Sequence, residues 1–314
     1  MISKQQLHLA TKAAWLSYIG GYTQSQVAKK LNISSAKAHR LIALAHSENI
    51  VKIFIEGEII ECVKLEEKIS KAFELTSCTV VPEVEDDIHE FNSTGASGAA
   101  FLHNIFKVES NKVIGVGKGR TLTAVLDHLP PIHTDNLKFV SVSGGLTRKF
   151  ATNPFDVIHK MAERTKSEAY FLPVPYMAKD IEEKQMLLQQ QSVKQMLEFA
   201  KSASIQIVGI GSIEANAHVH QTGLIEEKTW QATIKHGAVG DFMGIFLDES
   251  GKPVEHESNQ LALGLTIEDI RGHKVIAIAG GKQKELAIHA ALKTNVITDL
   301  IIGEDSANKL VKLL

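Results

Sequence analysis

The chain has 314 residues, 44% hydrophobic and 22% charged, which is ordinary globular composition at a length suited to about two domains and excludes a disordered, collagen-like or coiled-coil protein. Its apolar runs, such as Val275 to Ala279, fall far short of the roughly 20 residues that cross a bilayer, no apolar export segment follows Met1, and only Cys62 and Cys78 carry thiols, so a soluble cytoplasmic protein is expected. The net charge of −2 conceals an asymmetry: residues 1–55 carry seven cations against Glu48 alone, a net of +6, while the remainder carries −8.

Leu9, Ala13 and Leu16 recur at helical spacing and stop at Gly20-Gly21, predicting a first helix. Thr23-Gln24-Ser25-Gln26 then reads as a capping box that opens a short helix with Val27, Ala28 and Leu31 inward, ended by Asn32. Ser34 or Ser35 caps a third helix striped by Ala38, Leu41, Ile42 and Ala45. The alternation of Ile50 to Ile55 reads as a strand, the wing of a winged helix-turn-helix. Residues 61–75 return to helical spacing, as a connector or a dimer contact. The domain boundary is placed at residue 57, giving units 1–57 and 58–314.

The larger unit alternates short apolar runs, at 78–81, 113–116, 139–142, 169–173, 205–210, 275–279 and 300–302, with helical stretches at 95–106, 120–128, 154–165, 181–202 and 284–293. That rhythm predicts an α/β domain with a mainly parallel sheet.

Two sets of residues carry chemistry. In a helix-turn-helix the second helix enters the major groove, which brings Ser35, Lys37, Ala38 and His39 near DNA, sets Arg40 against base or backbone, and gives Gln24 and Ser25 a phosphate contact. A helical hairpin that only packs is the competing reading, against which stand the basic charge and the wing. In the larger unit, Val113 to Thr121 runs from a strand through glycines into a helix, where bare amides with Lys118, Arg120 and Thr121 suit an anion. Further glycine-bearing strand ends at Ser143-Gly144-Gly145, Gly209-Ile210-Gly211 and Gly280-Gly281 would converge on one crevice, because ligands of open α/β sheets bind outside the carboxyl ends of strands. Asp241 offers an acceptor for hydroxyls and Lys284 a cation or a Schiff-base amine. Glu214, His218 and His220 are too sparse a set to predict a metal.

These motifs in this order resemble the SorC/DeoR-type sugar-binding transcriptional regulators of bacteria over nearly the whole chain: Thr23 to Ala28 and Arg40-Leu41 in the head, then Gly115 to Leu122, Ser143-Gly144-Gly145, Val208 to Gly211, Ala238 to Asp241 with Phe246 to Asp248, and Ala279 to Ile288. The resemblance implies an effector domain similar to sugar-phosphate isomerases, a homo-oligomer, commonly a tetramer, and no cofactor. It implies an effector site of Gly117, Lys118, Gly119, Thr121, Gly144, Gly145, Thr147, Asp241 and Lys284. The recognition helix departs from the family's more usual Thr-Val-Ser-Arg-Leu style with Lys37-Ala38-His39-Arg40-Leu41, so operator sequence does not transfer. Asn153 to His159, through Pro173-Val174-Pro175, is most similar to regulators of polyol catabolism. The expected function is a repressor of a sugar or polyol operon that releases operator DNA on binding a sugar or phosphosugar. The alternatives are an isomerase- or deaminase-like enzyme using Asp241 as base and, last, a dinucleotide-binding redox sensor.

Overall fold

The computed structural model describes residues 3–48, 50–51, 59–83, 87–110, 112–132, 136–145, 157–214, 217–221, 223 and 225–314. The chain divides into two compact units, residues 1–55 and 56–314.

In the smaller unit, Ser3 caps α1 (Lys4–Ala14), which runs on through a widened turn over Trp15–Ile19 where the Gly20 N–H donates to the Trp15 carbonyl at 2.9 Å. The capping box opens α2 (Gln24–Leu31): the Gln26 N–H donates to the Thr23 hydroxyl at 3.4 Å, and the Thr23 N–H to the Gln26 side-chain oxygen at 2.8 Å. Asn32, at φ 52°, ends it, and Ser34 caps α3 (Ser35–Ser47) by accepting the Lys37 N–H at 3.2 Å. Ala10, Ala13, Val27, Ala38, Leu41 and Ala45 form the core between these helices, small enough to let them approach closely. Ala38 therefore corrects one expectation: it shares the buried stripe of Leu41 and Ala45, is 0% exposed, and presents nothing to DNA. Of the expected wing, residues 52–55 lie outside the described residues; Ile50 and Val51 each donate a backbone N–H to the Ala45 carbonyl, at 2.9 and 3.3 Å.

The larger unit begins with α4 (Ile60–Phe73), then β1 (Ser77–Val81), α5 (Asp87–Val108), β2 (Val113–Val116), α6 (Arg120–His128), β3 (Lys138–Ser141), α7 (Val157–Thr165) and β4 (Glu168–Tyr170). It continues through α8 (Ile181–Gln189), α9 (Gln191–Lys201), β5 (Ile205–Ser212), α10 (His218–Gln221), α11 (Glu227–Lys235), the hairpin β6 (Gly240–Phe242) and β7 (Ile245–Leu247), and α12 (Glu257–Leu261). It closes with β8 (Lys274–Ala279), α13 (Glu285–Leu292), β9 (Asp299–Gly303) and α14 (Glu304–Val311). Seven strands lie parallel in the order β1-β9-β8-β5-β2-β3-β4, and β6 pairs antiparallel with the far end of β5.

One sheet face is covered by α4, α9, α13 and α14, through residues such as Ile69, Ala200, Ile288 and Leu310, and the other by α5, α6 and α7, through Leu102, Leu126 and Met161. Central strands buried on both faces read as continuous apolar runs, which is why β5 and β8 are plain in the sequence. Strand order reverses between β2 and β5, since the chain steps outward from β2 to β4 and then returns to β2's other side. A crevice at the strands' carboxyl ends is expected there.

Several elements differ from expectation. The stretch 181–202 is two helices, broken at Gln190 (ψ 131°), because Leu187 and Leu188 must turn with Val193 into a side cluster around Leu172 and Val174. The fourth strand stops at Tyr170, and α5 is longer than expected. Residues 154–156 of the expected seventh helix lie outside the described residues. The β6–β7 hairpin is too short to show alternation, so its pattern is invisible in the sequence.

Candidate ligand cleft and exposed helix

The turn after β2 and the far end of β5 meet at the reversal point and, with the β6–β7 hairpin, line a cleft of about 710 Å3 counted to its open mouth. Gly117, Lys118, Gly119, Arg120 and Thr121 line it from the start of α6, Gly209 to Ser212 from β5, and Tyr176, Asp241, Met243, Gly244 and Lys284 complete the lining. α6 begins at Gly119 (φ 124°) with no side-chain cap, so its first amides and partial positive charge suit an anion. The Thr121 hydroxyl accepts the Gly280 N–H at 3.2 Å, tying the β2 and β8 ends together.

Three cations collect here. The Lys118 ammonium donates to the Gly144 carbonyl and lies 4.3 Å from the Tyr176 ring centre; Arg120 lies 5.0 Å from that of Phe91. Lys284, 7% exposed, donates to the Ile210 carbonyl at 2.9 Å. Burial, followed by the charge of Arg120, pushes Lys284 down to about 8, against the pull of Glu90 and Asp241. Asp241 opposes these cations. Its carboxylate accepts the Tyr176 hydroxyl at 3.1 and 3.2 Å and the Gly244 N–H at 2.9 Å. Burial raises Asp241 to about 6, with the Tyr176 and Gly244 bonds and the nearby Lys118 and Lys284 charges opposing the rise. At neutral pH the cleft thus holds an ionised acceptor facing a group of charged donors, which suits a molecule bearing both hydroxyls and an anionic group.

Most residues expected at this site converge. Gly117, Lys118, Gly119, Thr121, Asp241 and Lys284 line the cleft. Gly144 and Gly145 stand behind it: the Gly144 carbonyl holds Lys118, and a Cβ on Gly144 would fall 2.0 Å from the Pro175 carbonyl oxygen. Thr147 lies outside the described residues. Because the obstacle at Gly144 is backbone, Gly144→Ala should destabilise the protein by about 1–3 kcal/mol or more, read as a lowered urea midpoint; an unchanged midpoint would contradict this packing. Tyr176 was not foreseen. The one signal is its place after Pro173 and Pro175, which favour an extended segment across the cleft wall.

On the smaller unit, Gln24, Ser25, Ser35, Lys37, His39 and Arg40 are exposed. The Gln24 side-chain amide donates to the Ser35 carbonyl at 3.0 Å, bracing α2 on the start of α3. His220, weighed as a metal ligand, is bonded to Glu227 and stacks on Trp230 with ring centres 5.2 Å apart.

Residues 57–312 match the protein family described as "Putative sugar-binding domain". The chain is 38% identical over 303 residues to the erythritol catabolism regulatory protein EryD of Brucella abortus, covering 96% of each chain. It belongs to the SorC/DeoR-type family of sugar-binding transcriptional regulators. The transcriptional regulator LsrR of Klebsiella pneumoniae is 27% identical over 310 residues, covering 97% of this chain and 93% of that one. The full-length sorbitol operon regulator SorC of Klebsiella pneumoniae shares the fold at a TM-score of 0.71 and 23% identity, covering 98% of this chain and 100% of that one. Membership in a family of regulators upholds the transcriptional reading over the isomerase-like enzyme.

Proposed function

We propose that this regulator holds operator DNA through the exposed start of α3 and releases it when a sugar or polyol phosphate enters the cleft. The observation that carries this is the gathering of Lys118, Arg120 and Lys284 in one crevice with Asp241, which feels the charges of Lys118 and Lys284, beside the uncapped start of α6. A phosphate monoester supplies the anion for the three cations and the helix amides, and its hydroxyls supply donors for Asp241. The name of EryD, a regulator of erythritol catabolism, supports a polyol-derived effector. The exposed cations Lys37 and Arg40 on α3 support contact with DNA phosphate and base edges. A repressor acting in the cytoplasm as a homo-tetramer agrees with this picture: paired heads match paired half-sites, and no helix among the described residues is long and apolar enough to cross a membrane.

Fluorescence anisotropy of labelled promoter DNA at two salt concentrations, with a panel of polyols, sugars and their phosphates, tests the proposal. Tight, salt-dependent binding weakened by a phosphorylated compound is expected. Binding only at the nonspecific level, with conversion of a sugar phosphate, would contradict it.

The two shifted groups also set a pH window. Effector affinity should be greatest between about pH 6 and 8. It should fall below that range as Asp241 gains a proton and above it as Lys284 loses one. The effector phosphate's own second ionisation, near pH 6, steepens the acid side. Calorimetric titration from pH 5 to 9 reads the profile, and a flat one would remove both groups from the site.

A further inference from the structure

We propose that Tyr176 is the positioning residue of this cleft, joining its hydroxyl-reading end to its anion-reading end. The inference rests on the effector reading above and adds a residue that sets which effectors fit.

The side chain is 3% exposed and faces two ways. Its hydroxyl donates to Asp241 at 3.1 and 3.2 Å, while its ring seats the Lys118 ammonium 4.3 Å from the ring centre. The β6–β7 turn closes on it from behind: Met243 and Gly244 take left-handed conformations at φ 57° and 93°, and a Cβ on Gly244 would lie 3.3 Å from the tyrosine's Cε2 and hydroxyl oxygen. On the other side, the Gly144 carbonyl holds Lys118. A ring backed by the β6–β7 turn, bonded to Asp241 and lying under a Lys118 that the Gly144 carbonyl also holds, fixes the separation of the Asp241 carboxylate from the Lys118 ammonium, and with it the spacing between hydroxyl and anion in a molecule that reaches both.

The hydroxyl has a second consequence. Asp241 faces Tyr176, Lys118 and Lys284, and the Tyr176 bond favours its ionised form against burial. An ionised Asp241 can only accept, so the bond commits this end of the cleft to hydroxyl donors on the effector. Tyr176→Phe keeps the ring under Lys118 and removes that commitment. Tyr176→Leu removes both.

The test is calorimetric titration of the full chain, wild type and both variants, with erythritol 4-phosphate, erythritol and inorganic phosphate, from pH 5 to 8. Tyr176→Phe is expected to bind erythritol 4-phosphate and erythritol about tenfold more weakly at pH 7, as for loss of a hydrogen bond to a charged group, and to bind inorganic phosphate as the wild type does. Its acid limb for the polyol phosphate should move to higher pH, because Asp241 loses a bond that holds it ionised. Tyr176→Leu should weaken inorganic phosphate as well. Equal loss of all three probes in Tyr176→Phe, or an unmoved acid limb, would overturn the proposal by reducing Tyr176 to packing. Failure of the wild type to bind any of the three would overturn the effector reading and this proposal with it, whereas wild-type binding with an indifferent Tyr176→Phe overturns this proposal alone.

Discussion

Lys284→Met should remove the response to effector. The ammonium is buried at the junction of the cleft with α5, facing Asp241 on one side and under the influence of Glu90 on the other. A phosphate drawn into a low-dielectric crevice loses more from a missing buried cation than from a missing surface one. Loss of one partner of a buried charge pair costs about 2–5 kcal/mol, or roughly 30-fold to several-thousand-fold in effector affinity. Methionine fills nearly the same length of chain, so the effect is read as function. Calorimetry with a polyol phosphate measures the loss, and affinity within threefold of the wild type would contradict the placement of Lys284. The same substitution has a stability signature of known sign. Lys284 is held at about 8 in the folded protein against 10.5 ordinarily, so the unfolded chain binds more protons between those values and wild-type stability should rise across that range. The methionine variant lacks this contribution. The wild type should therefore gain on it as pH climbs from 8 towards 10.5.

Arg40→Ala should lower operator affinity by about tenfold or more and leave effector affinity unchanged. Arg40 is exposed on α3, in a unit whose core is its own, while every cleft residue named above belongs to the other unit. A guanidinium bonded to base edges contributes about 1–3 kcal/mol of discrimination, whereas one on phosphate weakens all sequences alike and lowers the salt slope by about one. Anisotropy at several salt concentrations separates the two cases. Loss of both DNA and effector binding would contradict the division of labour between the units.

Much of this protein is legible in its residues because its signals are local or strongly periodic. Thr23 and Gln26 form their capping box within four residues, Asn32 ends α2 by its own tolerance of the left-handed region, and the buried strands are continuous apolar runs. The glycines that follow β2 and those in the far end of β5 sit at strand ends, where parallel-sheet topology brings them together. Long-range contacts leave weaker traces. Tyr176 reaches Asp241 across 65 positions, and its local sequence records only the prolines before it. Ala38 shows how one residue can satisfy two patterns: it sits in the recognition helix by sequence but on the core stripe by phase. Gly144 carries a similar ambiguity, since a glycine at a strand end suits either a ligand or a close backbone approach, and here it meets the Pro175 carbonyl. The break at Gln190 is set by the packing of Leu187, Leu188 and Val193, which periodicity along a single helix cannot express.

The central claim is that cleft and recognition helix are thermodynamically linked. An effector shifts the DNA-binding equilibrium only by its differential affinity for the two arrangements, and linkage makes the effect reciprocal. The direct measurement is the affinity of a bound polyol or sugar phosphate for the free protein and for the protein saturated with operator DNA. The account predicts weaker effector binding on the operator, by the same factor by which the effector weakens operator binding. Equal effector affinity in the two states would show a cleft that does not communicate with DNA and would contradict the account.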